Sequence, residues 1–180
     1  MSLVSSLFSF DPHTDIWRSE ESPRLVKQLC NASQFLRGLR VQMRFGELTR
    51  APIRLLRLHV IEEVVECDWL ARAPDPWDTG LSRGVRQRHS SLQALKDAID
   101  VRALLLDRMP QVQTAYFRVY RETPDFAREM IMKGYVQRND NSSRDVHSLV
   151  MRAKVLGFRF RLENEILCGF PAEEPICVGG

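Results

Sequence analysis

Apolar and polar positions alternate most clearly over residues 115–120. Ala115, Phe117 and Val119 fall on one side; Tyr116, Arg118 and Tyr120 fall on the other. A period of two predicts a strand with two unlike faces. Glu122-Thr-Pro-Asp125 then has turn chemistry, because Pro124 fixes its own φ and Asp125 bonds nearby backbone. Residues 129–138 alternate again, with Met130, Met132, Gly134 and Val136 opposite Ile131, Lys133, Tyr135 and Gln137. The pair predicts a hairpin. Gly134 interrupts its apolar row, the mark of a bulge or of a close backbone approach. Past a polar break at 139–143, Ser142 with Asp145 resembles a capping box. Val146, Leu149, Val150 and Ala153 recur at helical spacing, and Gly157 sits where a helix closes in the left-handed conformation. Phe158, Phe160 and Leu162 alternate with Arg159, Arg161 and Glu163, which predicts a third strand.

The same reading extends to the rest of the chain. Residues 1–22 form an N-terminal arm. Ser22-Pro23 opens a helix with a cap and a first-turn proline. Leu25, Val26, Leu29 and Cys30 make its inner stripe, and Gly38 ends it. Leu39, Val41, Met43 and Phe45 alternate with Arg40, Gln42 and Arg44, predicting a strand. Residues 53–60 and 64–70 predict two more around a Glu62-Glu63 turn. Pro74-Asp-Pro-Trp-Asp-Thr-Gly80 is the strongest loop, so 73–82 divides a helix plus three-stranded half (23–72) from an α-β-β-α-β half (83–170), with a tail at 171–180. In that second half Ser90 or Ser91 caps a long helix, Leu92, Leu95, Ile99, Leu105 and Leu106 bury it, and Pro110 stops it. The expected fold is α+β: an antiparallel sheet with helices on one face, in the order α-β-β-β-α-β-β-α-β, the two halves joined by the loop and able to share one core.

Composition changes little in this picture. A chain of 180 residues with 44% hydrophobic and 27% charged positions fits a globular domain rather than a disordered or coiled-coil one. A net charge of +3 is too small to imply a polyanionic partner by itself. Cys30, Cys67, Cys168 and Cys177 form no C-x-x-C pair, so neither metal nor cofactor is expected, and a core of this size needs no disulfide. The expected compartment is reducing and cytoplasmic. No apolar run approaches the roughly 18 residues of a membrane span.

Several residues of the second half are similar to a BON domain: 95–106, Val119, Gly134-Tyr-Val136, 150–155, Gly157-Phe158 and Asn164-Glu-Ile-Leu167. The resemblance implies an α-β-β-α-β module that binds membranes, proteins or hydrophobic ligands without catalysis. Pro124 and Asp125 stand where that family turns tightly on glycine, and Phe158 where it has valine.

Candidate chemistry is sparse. Arg40, Arg44, Arg54 and Arg57 suggest a basic strand face for phosphates, against the alternative that acidic strands with Glu66 and Asp68 satisfy it. His59 and Glu66 can meet across strands as an acid–base pair in a cleft between the halves. The sequence has no nucleophile elbow or Gly-rich phosphate loop, so no catalytic residue is assigned. Trp77 is either an interface anchor or a lid folded onto the core. Tyr116, Tyr120, Ile131 and Tyr135 make a half-apolar row on the second sheet face, to be covered by the first half or used in dimerisation. Asn31 and Asn141 sit in sequons read as chance. The expected role is a non-catalytic interaction or scaffold module that pairs with itself, as a homodimer, or with another protein. Nucleic-acid binding and a small enzyme are the rivals.

Overall fold

The computed structural model describes residues 15–138 and 146–171. Its first helix, α1, is Asp15–Gln42. It begins before Ser22-Pro23, with Pro23 inside, where the missing N–H removes one helical hydrogen bond. The strand expected from Leu39 is instead the last turn of α1. Leu39 and Met43, four residues apart, are buried, whereas Val41 and Phe45 between and beyond them are exposed. A period-two run also contains the i,i+4 spacing of a helix, and here tertiary packing selects the helix.

Strands β1 (Arg54–Ile61) and β2 (Val64–Leu70) pair antiparallel around a turn in which Glu62 has φ 51°. The loop after β2 contains a short 3-10 turn, Asp78–Gly80. Helix α2 (Arg83–Arg108) starts earlier than Ser90 or Ser91, because Ser82 caps it by accepting from the Val85 N–H at 3.4 Å. Ser91 is buried and accepts from the Leu167 N–H at 2.9 Å. Arg138 closes the other end, donating to the Leu106 and Met109 carbonyls at 3.0 and 2.8 Å. Because α2 carries the chain back along the sheet, the next strand, β3 (Thr114–Glu122), lies parallel to β2. The sheet is therefore mixed rather than purely antiparallel.

Strand β4 (Arg128–Gln137) returns antiparallel to β3, with a register shift between Val119 and Tyr120. That irregularity turns Ile131 into the protein, so it leaves the outer row where alternation placed it. Helix α3 (Leu149–Val155) is capped by Ser148; the Ser142 and Asp145 signal falls outside the described residues. Gly157 has φ 90°, and a Cβ there would lie 2.2 Å from the Tyr135 carbonyl oxygen. The third strand expected at 158–162 is broken at Phe160 into β5 (Phe158–Arg159), which pairs with β4, and β6 (Arg161–Glu163). A short hairpin joins β6 to β7 (Ile166–Cys168).

The fold is thus α+β: among the described residues there are three α-helices, a five-stranded sheet in the order β1-β2-β3-β4-β5, and a small two-stranded sheet. One core cluster takes Phe35 and Leu39 from α1, Trp69 from β2, Leu95 and Leu105 from α2, and Phe117 from β3. Residues on both sides of the 73–82 loop therefore share it. Phe117 packs edge-on to Trp69 and stacks on Phe158, with centroids 5.7 and 5.6 Å apart. Gly134 marks a close approach, since a Cβ there would lie 2.7 Å from the Phe158 ring.

Candidate interaction face

The helices lie against one face of the sheet. Strand register fixes what stands on the other. Glu66, Tyr116 and Tyr135 form one row across β2, β3 and β4. Asp68, Arg118, Lys133 and Arg159 form the next, reaching β5. No helix among the described residues covers these rows. Tyr116 and Tyr135 are 44% and 49% exposed at the middle of the sheet, their rings 5.1 Å apart and tilted by 55°. The Gln137 side-chain amide donates to the Tyr135 hydroxyl at 3.2 Å. A shallow depression of about 420 Å³ lies over this pair, with Glu66, Arg118, Lys133 and Arg159 around it.

Charges on the face are arranged in columns. Arg118 donates to Asp68 at 2.8 Å and to Glu66 at 3.0 Å. The hydrogen bond to Asp68 is the main reason its guanidinium is held above its ordinary pKa. Arg57 reaches Glu66 at 3.2 Å and the His59 ring at 3.3 Å. Lys133 stands 5.2 Å from the centroid of the Phe170 ring. Arg159 makes no ion pair among the described residues. The acidic groups of this face, Glu66 and Asp68, therefore stand on β2 with basic ones to either side, Arg57 on β1 and Arg118, Lys133 and Arg159 on β3, β4 and β5, and the tyrosines lie on β3 and β4.

The other sequence candidates are dispersed. Tyr120 pairs with Met130 and is half-buried, and Ile131 has left the row, so the aromatic patch contracts to Tyr116 and Tyr135. Trp77 is exposed beside an Asp75 turn, so it is not a lid. The basic strand face does not form. Arg40 lies on α1, and Arg44 follows that helix with its guanidinium over Phe45. Arg54 and Arg57 lie on β1, matched by Glu122 at 3.8 Å and by Glu66. His59 and Glu66 are register partners, but on the open sheet face rather than in a cleft. A cleft of about 610 Å³ does exist between the end of β2, the start of α2 and the β3–β4 turn, and neither residue lines it. Asn31 is engaged, donating to Gln111 at 2.8 Å.

Arg118, Lys133 and Arg159 were missed as site residues, although their alternation with the inward row announces their side of the sheet. Cys30, Cys67 and Cys168 are free thiols, and burial pushes the Cys67 thiol far up. Among the described residues no three His, Cys, Asp or Glu side chains gather to hold a metal, and no helix is long and apolar enough to cross a membrane. No protein-family model matches the chain, and neither a curated protein nor a solved structure does.

Proposed function

We propose that this protein is a non-catalytic interaction module that associates with itself through the outer face of its sheet. The observation that carries the reading is the Tyr116–Tyr135 pair, exposed at the centre of a face that no helix among the described residues covers. Tyrosine is a strong interface anchor, offering a large rigid ring and a hydrogen-bonding tip at small entropic cost. A two-fold axis along β3 lays Tyr116 over its own counterpart and Asp68 over Lys133 of the second copy, but also Arg118 over Arg118 and Arg57 over Arg159, so the tyrosine pair rather than charge pairing supports a second copy as occupant. The α2-β3-β4-α3-β5 order supports the BON-like reading of the second half, which points to the same non-catalytic class.

A second reading draws on the same tyrosines. Bases of a single strand stack on exposed aromatics flanked by cations, and Arg118, Lys133 and Arg159 supply those cations. Glu66 and Asp68 on the same face repel phosphate, which favours the protein partner. The test is the solution mass of the wild type and of a Tyr116→Ser/Tyr135→Ser variant, with the 260/280 nm absorbance ratio of the purified protein. The self-association reading expects an assembly without nucleic acid, and dissociation at least about tenfold easier in the variant. An unchanged mass in the variant contradicts it. Nucleic acid that co-purifies and is stripped by salt transfers the face to the second reading.

A further inference from the structure

We infer that the cleft of about 610 Å³ between the end of β2, the start of α2 and the β3–β4 turn binds a small monocarboxylate with an apolar ring. Its volume lies within the range of small-molecule sites, which pair an apolar lining with a few placed polar groups. The local sequence opens it. Ala51, Ala71 and Ala73 give it walls of single methyl groups, and Pro52, Pro74 and Pro124 bring apolar rings but no N–H donors. Leu70 and Ile131 also line it, both buried. The body of a ligand therefore meets mostly carbon.

Charge selects the head group. Four arginines line the cleft, and three have acidic partners: Arg54 with Glu122 at 3.8 Å, Arg121 with Glu129 at 2.6 Å and Arg72 with Asp97 at 2.8 Å. The fourth, Arg83, is exposed and makes no ion pair among the described residues. The first turn of α2 holds no acidic residue to meet it. Gln87 lines the cleft one turn further along the same face of α2, and its half-buried amide makes no hydrogen bond among the described residues either. Residues four apart on a helix are neighbours, so a guanidinium fork and an amide N–H can hold one carboxylate together. One unmatched positive charge fits a monoanion, whereas Glu122 and Glu129 repel the second charge of a phosphate.

The β3–β4 turn adds an independent observation. Phe126 has φ 61°, a costly conformation for an aromatic residue, yet its side chain is 84% exposed. The turn holds it there: the Phe126 N–H donates to the Thr123 carbonyl, and the Thr123 N–H to the Ala127 carbonyl, both at 2.9 Å. Packing within the chain does not account for a strained ring left in water. As a wall of the cleft, it offers an aromatic face to the ring of a ligand. None of the residues around the tyrosine pair lines this cleft except through neighbouring strands, and Tyr116 and Tyr135 do not reach it. The inference is therefore independent of the self-association reading.

The test is calorimetric titration of the full-length chain with naphthoate, naphthyl phosphate, naphthylmethylammonium and acetate. One naphthoate per chain is expected, bound at least about tenfold more tightly than each of the other three. Arg83→Gln is expected to weaken naphthoate binding at least about tenfold, and Gln87→Ala several-fold. Phe126→Gly separates function from folding, because glycine adopts φ 61° freely: affinity is expected to fall while the urea midpoint holds or rises. A purely structural Phe126 would lower the midpoint and leave the affinity unchanged. Tyr116→Ser/Tyr135→Ser is expected to bind naphthoate as the wild type does. Absence of naphthoate binding overturns the inference, and so does wild-type affinity in Arg83→Gln. Acetate bound as tightly as naphthoate reduces the cleft to an ion site, and tighter binding of the phosphate or the ammonium reverses the head-group assignment; each result overturns the proposal.

Discussion

Arg72 is 3% exposed, a charge that folding removed from water. Its guanidinium donates to Asp97 at 2.8 Å and to the carbonyls of Ala51 and Met43 at 2.6 and 2.7 Å. Gln93 completes the cluster, donating to Asp97 at 2.9 Å and accepting from the Leu48 N–H at 2.8 Å. The cluster ties the end of α1, the end of β2 and the middle of α2 together. Removing one partner strands a buried charge, so Asp97→Ala is expected to cost about 3–5 kcal/mol in urea unfolding. Replacing both charges with apolar side chains, Arg72→Met together with Asp97→Leu, is expected to cost less than truncating either one alone. Burial pushes the Asp97 carboxyl above its ordinary pKa of 3.8, and the Arg72 and Gln93 bonds only partly oppose this. A raised folded pKa means that the native state holds the proton more firmly. The stability this group adds is therefore full below its unfolded pKa and is lost as pH rises through its folded one. The wild type should exceed Asp97→Asn in stability by more at pH 4 than at pH 7; the opposite trend in urea titrations contradicts the assignment. The thiols give a simpler test at this scale. Iodoacetamide with peptide mapping is expected to label exposed Cys30 in the native protein and buried Cys67 only on unfolding.

At the scale of elements, glycines and helix ends decide the geometry. Gly157 closes α3 with φ 90° and leaves no room for a side chain against the Tyr135 carbonyl. Gly157→Ala is expected to lose about 1–3 kcal/mol, read as a lower urea midpoint; an unchanged midpoint contradicts the close approach. This position was legible in the sequence, as were β1 to β4 and the course of α2. All have strong periodicity or punctuation. Residues 39–45 were not, because their alternation satisfies a strand and, through Leu39 and Met43, a helix equally well; only contact with the core separates the two. The parallel pairing of β2 with β3 was also hidden, though a long helix between two strands is the signal for it. Of the candidate face, Tyr116 and Tyr135 could be read from alternation, while Ile131 could not, because register fixes its side and one irregularity reverses it. The arginine cluster dispersed because sequence proximity set Arg40 beside Arg54, whereas the chain turns from helix to strand between them.

At the scale of the molecule, the fold is a sheet with helices on one side and charged columns around two tyrosines on the other. The proposed self-association uses the tyrosine face. Salt distinguishes the kinds of contact: tyrosine anchors are largely indifferent to it, whereas phosphate contacts weaken steeply. The most direct measurement is therefore the light-scattering mass of the wild type and of Tyr116→Ser/Tyr135→Ser at low and high salt. The self-association account predicts a wild-type mass of more than one copy at both salts and a lower mass for the variant. A wild type of one copy throughout, or a variant as large as the wild type, contradicts it.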